Sequence, residues 1–215
     1  MSLATMIAQM GDGMLKSVSI FLWTLVLSLP LGLIISFGRM SKNRVLRGIV
    51  TFYISVMRGT PLMLQLLVVY FGPYYLFNAN IGAYRYGAII FGFVFNYAAY
   101  FAEIFRSGIQ SMPKGQYEAA DVLGYSRKQA FIKIILPQVM KRILPPVTNE
   151  TITLVKDTSL AYALAYAEMF SIAKQIAAAQ TTFTPLIVAA LFYYIFNYLV
   201  AWVMAFIEKK LNYYN

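Results

Sequence analysis

Residues 113–137, PKGQYEAADVLGYSRKQAFIKIILP, form the one long polar interruption in a chain that is otherwise largely apolar. The first half of this stretch predicts a short helix that stops at Gly124, a residue that tolerates the backbone conformation of a sharp turn. Ser126 then precedes Gln129 by three residues, which is the spacing of a capping box at a helix start. We therefore expect two short helices joined by a turn at the glycine.

The first of these helices has a distinctive surface. Ala119, Ala120 and Leu123 are predicted to share one face, with Glu118 and Asp121 near the helix start, where the helix dipole favours acidic side chains. A face of small residues flanked by charge, lying between two apolar segments, predicts a surface to which another protein binds on the cytosolic side.

The rest of the chain has the composition of a membrane protein. Hydrophobic residues make up 60% of the 215 residues, and the mean hydropathy is +0.64. Several apolar runs approach or exceed the roughly 18 residues that cross a bilayer. The basic residues cluster between these runs, so the net charge of +10 indicates membrane topology and not nucleic-acid binding. We predict an all-α, multi-pass membrane protein that forms a single domain over residues 1–215.

Five apolar runs predict about five transmembrane helices, with the N-terminus outside and the C-terminus in the cytoplasm. The predicted spans are residues 17–38, 61–77, 86–105, an irregular fourth span after Pro145 and Pro146, and residues 186–207.

Three other segments are not expected to span. Residues 1–16 predict either a helix lying in the membrane interface or a frayed terminus, and the pattern does not decide between them. Residues 45–58 predict an apolar helix too short to cross the membrane, and residues 167–184 an external segment. Within the first span, small residues recur every fourth position, which predicts a close approach by another helix: Ser28, Gly32 and Ser36.

Polar side chains inside the third and fourth spans are the candidates for binding a solute. A charged residue in a span costs at least about 2.5–3.5 kcal/mol on insertion scales, so such residues usually line a cavity or pair internally. Each span carries three polar residues on one helical face, and together these predict a polar, acidic pathway for cationic or zwitterionic solutes: Asn96, Tyr100 and Glu103, then Glu150, Thr153 and Asp157.

A structural interpretation of the two inner acids stays open beside this one. Glu103 would then pair with Arg106 or with a cation of another span, and Asp157 would only balance the neighbouring Lys156. The helix break expected after Asp157 would line a cavity, since unwound backbone is tolerated at that depth only in such a setting.

Catalytic chemistry is not indicated. The chain has no histidine and no cysteine, and it carries neither a nucleotide-binding motif nor a metal-ligand spacing. We therefore predict no metal site and no cofactor bound by this chain. Transport would be passive or driven by a partner that docks on a cytoplasmic surface.

Several motifs resemble one family of transport proteins. Glu118-Ala119-Ala120, Gly124 and the sequence Ile135-Leu136-Pro137 resemble the EAA loop of the permease subunits of ATP-binding-cassette importers. Three further motifs resemble the subgroup for polar and basic amino acids, which includes histidine, glutamine and arginine permeases: residues 58–61, 102–109 and 156–160. The resemblance extends from about Gly13 to Asn212.

The resemblance implies the transmembrane fold of a type I importer, in the plasma (inner) membrane of a prokaryote. Two permease subunits would pair, either as a homodimer or with a paralogue, and each would insert its EAA helix into one of two ATPase subunits. ATP and magnesium would bind the ATPases, and an extracytoplasmic binding protein would deliver the amino acid. The coupling residues implied by the motif are Glu118, Ala119, Ala120, Asp121 and Gly124.

The resemblance also assigns a substrate class, while one alternative remains. The acidic faces favour arginine, lysine or histidine over glutamine, with substrate contacts expected at the six polar residues named above. The alternative is a passive channel or an ion-coupled carrier that uses Glu103 and Asp157, and it would leave residues 113–137 without a role.

Overall fold

The computed structural model describes residues 2–211, and these residues fold entirely into helices and their connections. Met1 and residues 212–215, which the single-domain prediction includes, lie outside the described residues. Nine α-helices follow one another within residues 2–211: α1 (Leu3–Arg39), α2 (Arg44–Gly59), α3 (Leu62–Phe77), α4 (Arg85–Gln110), α5 (Lys114–Val122), α6 (Arg127–Ala130), α7 (Leu136–Asp157), α8 (Met169–Gln180) and α9 (Thr184–Leu211). Three shorter turns connect them: 3₁₀ turns at Gly82–Tyr84 and Thr158–Leu164, and a π turn at Phe131–Ile135.

The longest contact in the bundle is between α1 and α4, and the predicted small-residue stripe forms it. Ser28, Gly32 and Ser36 are all buried. A Cβ atom on Gly32 would lie 2.8 Å from the Cβ of Phe101 and 3.0 Å from the carbonyl oxygen of Ala98, so only glycine allows this approach. The stripe prediction is confirmed.

Both predictions for residues 1–16 are wrong, because this segment is the first part of α1. Ser2 caps the helix, and α1 then continues without a break to Arg39. Met6, Met10 and Met14 are buried in one cluster with residues of α8 and α9, so the apolar periodicity reflects helix packing within the protein.

The predicted external segment 167–184 contains α8, a helix with one buried face. Its N-cap is the fully buried Glu168, which accepts hydrogen bonds from the backbone N–H groups of Phe170 and Ser171, both at 2.7 Å. The hydroxyls of Tyr193, at 3.0 Å, and Ser17, at 3.3 Å, donate to the same carboxylate. Glu168 thereby ties α8 to α9 and α1. Burial raises the pKa of Glu168, although these four donors act in the opposite direction.

Among the described residues, three helical segments are long and apolar enough to span a membrane: α1, α4 with its preceding turn, and α9. Helices α2 and α3 meet at a bend of 110° and would together make a fourth span. The predicted fourth span corresponds to α7, which begins before Pro145 and ends at Asp157, and to the 3₁₀ turn after it. The helix break predicted after Asp157 is thus confirmed, while the count of five spans stays a prediction.

The polar stretch 113–137 forms α5, α6 and the π turn, with a sharp reversal at Gly124. This glycine has a φ of +77°, in the left-handed region, and Ser126 and Gln129 form both hydrogen bonds of the predicted capping box. The predicted shared face is wrong, however, because Ala120 is buried while Leu123 is 72% exposed. Successive residues lie about 100° apart on a helix, so Ala119 faces solvent although Ala120 faces the bundle. The predicted position of Glu118 and Asp121 near the helix start is also wrong, because α5 begins at Lys114 and its first turn contains no acid.

Candidate functional site

A cavity of about 380 Å³, called the acidic cavity below, lies where the first turn of α3 meets α4 and α7. Its wall includes both carboxylates of α7, Glu150 and Asp157. Five of the six predicted solute-binding residues line this space: Asn96, Tyr100, Glu150, Thr153 and Asp157. The two polar faces predicted on the third and fourth spans therefore meet, except for Glu103.

Asp157 is held by a tyrosine that the sequence reasoning missed. The hydroxyl of Tyr97 donates a hydrogen bond of 2.7 Å to Oδ2 of Asp157, and Tyr97 is only 2% exposed. The side chain of the neighbouring Lys156 is exposed and forms no ion pair with Asp157 in the described structure. A tyrosine buried in a span requires a partner for its hydroxyl, and that rule could have identified Tyr97 beforehand.

Glu150 and Thr153 complete the α7 side of the cavity. Among residues 2–211, no hydrogen bond or arginine ion pair is assigned to the Glu150 carboxylate, which is half-buried. Thr153 donates its hydroxyl to the carbonyl oxygen of Asn149 at 3.0 Å. The cavity thus contains two carboxylates. Asp157 accepts a hydrogen bond from the neutral hydroxyl of Tyr97, and Glu150 accepts none from the described residues.

Asn96 faces the same cavity, but both hydrogens of its amide are already used. Its Nδ2 donates to the carbonyl oxygen of Met57 at 3.0 Å and to Oε1 of Gln65 at 2.9 Å. Gln65 in turn donates to the carbonyl oxygens of Met57 and Thr60. These two amides hold the bend between α2 and α3. An isolated glutamine within an apolar helix was the signal that could have identified Gln65.

Glu103 lines a second, adjoining cavity of about 620 Å³, called the arginine cavity below. Arg106 binds the Glu103 carboxylate through Nη2 at 2.7 Å and Nε at 3.1 Å. Arg39 of α1 approaches it to 3.5 Å, and Arg58 of α2 to 3.9 Å. These contacts correspond to the structural interpretation of Glu103, in which it pairs with Arg106 and with cations of other helices.

The two cavities are continuous along one wall. Tyr100 and Glu150 line both of them, and the guanidinium of Arg58 lies 5.2 Å from the centre of the Tyr100 ring. The first turn of α3 also borders the acidic cavity, and the unpaired N–H groups at a helix start carry partial positive charge. Carboxylates and a positive helix end therefore face each other across a space suited to binding an amino acid.

Residues 28–213 match the family described as "Binding-protein-dependent transport system inner membrane component". The chain belongs to this family. Its members are transport subunits, and the description itself names a system that depends on a binding protein.

Curated relatives narrow the family to amino-acid transport. The chain is 37% identical over 202 residues to a putative glutamine transport system permease protein of Rickettsia bellii, covering 93% of this chain and 91% of the relative. It is 35% identical to the L-cystine permease protein TcyB of Bacillus subtilis, with coverage of 95% and 87%. It is also 35% identical to the arginine permease protein ArtQ of the same species, with coverage of 94% and 91%.

A solved structure gives the same result for the fold. The chain superposes on an amino acid ABC transporter crystallised with histidines with a TM-score of 0.87 and 28% identity, covering 98% of this chain and 99% of the other. This permease therefore has the transmembrane fold of a type I ABC importer, as the resemblance implied. It is the membrane subunit of an amino-acid transporter.

Proposed function

We propose that this permease imports basic amino acids, such as arginine, lysine or histidine, and that it binds them in the acidic cavity. One observation carries the proposal: Glu150 and Asp157 face the same space, and among residues 2–211 neither forms an ion pair with an arginine, although Arg58, Arg106 and Arg142 line the arginine cavity together with Glu150. A carboxylate within a membrane bundle is costly unless a cation approaches it. The cationic side chain of the substrate would supply that charge.

The arrangement also suggests how the amino acid is oriented. The cationic group of the substrate meets Asp157 and Glu150 on α7, where charge-assisted hydrogen bonds are short and strong. The α-carboxylate then points to the first turn of α3, where the N–H groups at the helix start favour negative charge. Tyr100 and Thr153 line the space between these two ends.

Glu103 and Asn96 receive different roles in this proposal. The arginines around Glu103 already neutralise its charge, so Glu103 joins α1, α2 and α4 instead of binding the substrate. Asn96 supports the bend between α2 and α3 through its bonds to Met57 and Gln65. The relatives are named for glutamine, L-cystine and arginine, so the choice of a basic substrate rests on the charge of the cavity.

Energy would enter through the polar stretch 113–137. We propose that α5 docks in a cleft of an ATPase subunit through its exposed Glu118, Ala119, Asp121 and Leu123, with Gly124 allowing the chain to reverse. Ala120 faces the bundle and would hold α5 in place. ATP-driven closure of two ATPases would then move α5 as a rigid body and tilt the helices around the acidic cavity.

The assembly that follows from this proposal has several further parts. Two permease subunits, identical or paralogous, pair in the plasma membrane of a prokaryote, each with an ATPase that binds ATP and magnesium. An extracytoplasmic binding protein delivers the amino acid. The N-terminus lies outside, so that the 113–137 stretch reaches the cytoplasm.

The substrate assignment is tested by charge removal in proteoliposomes that contain the permease with its ATPase and binding protein. We expect Asp157→Asn and Glu150→Gln each to lower ATP-dependent lysine uptake by about 10–100-fold, since each removes one partner of a desolvated charge pair. Asp12→Asn, an exposed acid at the far end of α1, is the matched control and should leave uptake unchanged. Unchanged lysine uptake in both cavity variants would refute the assignment.

The coupling role is tested at Gly124. Gly124→Val forces a β-branched residue into the left-handed region, which costs about 1–3 kcal/mol and should distort the turn after α5. ATP-dependent uptake should fall at least tenfold, whereas Gly115→Ala, on a helical glycine with open space around it, should not reduce uptake. Uptake that needs no ATPase would instead support the passive or ion-coupled alternative.

A further inference from the structure

A third cavity, which is purely apolar, lies on the opposite face of α4 and α7 from the two polar ones. It has a volume of about 520 Å³ and opens between α1 and α9; it is called the lateral cavity below. Every residue that lines it is apolar, including Leu29 and Phe37 of α1, Phe105 of α4, Phe131 of the π turn and Met204 of α9.

The lateral cavity is separate from the site proposed for the amino acid. Phe105 and Ile109 of α4 face it, whereas Ser107 and Ser111 of the same helix face the arginine cavity. Ile143 of α7 contributes to both walls and lies between them. Because the lateral cavity has no polar group, it offers no partner to an amino acid or to an ordered water. Its volume falls within the roughly 300–1,000 Å³ of typical ligand sites, so an apolar occupant suits it.

The opening of this cavity lies on the exposed apolar surface of the bundle. Its rim contains Leu33 and Phe37 on α1, Met140 on α7 and Ile207 on α9, each 36–48% exposed. Helices α1 and α9 are two of the three described segments that are apolar enough to span a bilayer. Most residues in the apolar stretch of α9 are not buried within the chain. An acyl chain could therefore enter sideways between them without passing through water.

The charge around the opening favours an anionic headgroup. Lys133 of the π turn, Lys141 of α7, and Lys209 and Lys210 at the end of α9 all lie at the end of the bundle that carries residues 113–137. Glu208 lies beside Lys141 in a small adjoining cavity, and the exposed Glu118 and Asp121 lie in the 113–137 stretch at the same end. Lysines at the membrane surface attract anionic lipids, each by an amount that corresponds to about a fivefold change in binding.

We propose that the lateral cavity binds one acyl chain of an anionic phospholipid, whose headgroup lies at the lysine cluster. The acyl chain fills the space between α1, α7 and α9. It also contacts Phe131, which packs edge-on against Phe37 at a ring distance of 6.5 Å. The lipid thereby supports the junction between the polar stretch 113–137 and α7. A phospholipid is thus a structural ligand of this permease.

The test measures lipid and not uptake, so it is independent of the proposed substrate. The permease complex is reconstituted in nanodiscs of phosphatidylglycerol and phosphatidylcholine in equal amounts, released into detergent and analysed by native mass spectrometry. We expect one phosphatidylglycerol to remain per permease chain. Met204→Trp fills the cavity and should lower this retention at least about fivefold, whereas Val203→Trp, on the exposed face of the same helix, should not. Equal retention in the two variants would overturn the proposal.

The headgroup is tested separately. Lys209→Glu combined with Lys210→Glu should remove the preference for phosphatidylglycerol over phosphatidylcholine, with about a fivefold loss for each lysine. Lys16→Glu, on the exposed surface of α1 far along the helix from the cavity, should retain it. Equal retention of the two lipids by the unmodified protein would contradict the anionic headgroup.

A photoactivatable phosphatidylglycerol with a diazirine at the end of its acyl chain covers the case in which Met204→Trp does not fold. In the unmodified complex we expect adducts in the peptides that contain Leu29, Phe105 and Phe131, which line the cavity. Adducts found only on the exposed face of α9 would refute the lipid assignment. So would the absence of adducts in these peptides because a second copy of the chain covers the cavity.

Discussion

The acidic cavity and the arginine cavity share Tyr100 and Glu150 but provide very different surroundings for their inner carboxylates. Glu103 is bound by Arg106 and approached by arginines from two other helices, with distances from 2.7 to 3.9 Å. Within the described part of the chain, Asp157 forms no ion pair and accepts a hydrogen bond from the hydroxyl of Tyr97, at 2.7 Å. A carboxylate surrounded by guanidinium groups is already neutralised, whereas one held by a neutral donor can still attract a cation.

This difference indicates how to read an acid in a membrane helix. Neither burial nor position in a span is sufficient to assign the role of an acid, since Glu103 and Asp157 both lie on helices of the same bundle. The charges on the neighbouring helices decide whether an acid stabilises the fold or faces a solute. We therefore assign fold stabilisation to Glu103 and substrate binding to Asp157, and the variants below test that contrast.

The largest expected effect is on stability, at Glu103. Glu103→Gln removes the shared partner of three arginines, and losing one member of a buried ion pair costs about 3–5 kcal/mol. Because the side chain of Glu103 is 17% exposed and those of the arginines 28–44%, we expect a smaller loss of about 2 kcal/mol. Thermal unfolding of the purified protein measures it.

The control and the transport result sharpen this prediction. Asp12→Asn should leave the unfolding temperature unchanged, because Asp12 is exposed. In the Glu103→Gln variant, uptake of lysine and of a neutral amino acid should fall by the same factor. A selective loss of lysine uptake would show that Glu103 contacts the substrate after all.

Asn96 tests the assignment of the bend between α2 and α3. Asn96→Leu leaves the buried carbonyl oxygen of Met57 and Oε1 of Gln65 without their donor, at a cost of about 1–3 kcal/mol. Uptake of basic and neutral substrates should decrease together, and Gln65→Leu should reproduce the effect. If Asn96→Leu alone changed the preference for lysine, Asn96 would belong to the recognition site.

Tyr97 tests how Asp157 is positioned. Tyr97→Phe removes one hydrogen bond to a charged group, a type of bond worth about 1.5–3 kcal/mol, and should weaken lysine binding at least about fivefold because Asp157 is no longer held in place. Binding of a neutral amino acid should not change. Tyr53→Phe is the matched control, because its hydroxyl donates to the backbone of Phe95 and not to an acid. An equal effect of the two variants would refute the positioning role of Tyr97.

The smallest expected effect concerns Glu168, a fully buried carboxylate that lies outside the apolar spanning segments. Burial raises the pKa of Glu168, so its ionisation opposes folding. Stability from this group is complete below the ordinary glutamate pKa of about 4.3 and is lost as the pH rises through the higher pKa of the folded state. The unfolding temperature should fall over that range, and Glu168→Gln should flatten the decrease. A slope that is unchanged in the variant would contradict this account.

Local patterns in the sequence predicted much of the fold. Ser126 and Gln129 lie three residues apart, Gly124 suits the positive φ of the turn, and Ser28, Gly32 and Ser36 recur at a helical spacing. The capping box and the turn depend on neighbours within a few residues, and the small-residue stripe requires only that some helix packs on it, which α4 does. The same holds for the helix break after Asp157.

Features that depend on distant contacts were not predictable in the same way. The periodicity of Met6, Met10 and Met14 fits a membrane interface as well as a helix partner, and only α8 decides between them. Likewise, the choice of partner for Glu103 required the positions of Arg39 and Arg58, which come from two other helices. The spacing of polar residues placed Glu103 on a common face with Asn96 but could not show which charges neutralise it.

Direct binding tests the contrast between the two carboxylates without the contributions of the ATPase and the binding protein. Isothermal titration of the detergent-solubilised permease with lysine and with glutamine gives both affinities, for the unmodified protein and for Asp157→Asn. We predict that lysine binds more tightly than glutamine and that Asp157→Asn removes this difference, whereas Glu103→Gln preserves it. Equal affinities in the unmodified protein, or a preference for lysine that survives Asp157→Asn and is lost in Glu103→Gln, would contradict the assignment of the substrate to the acidic cavity.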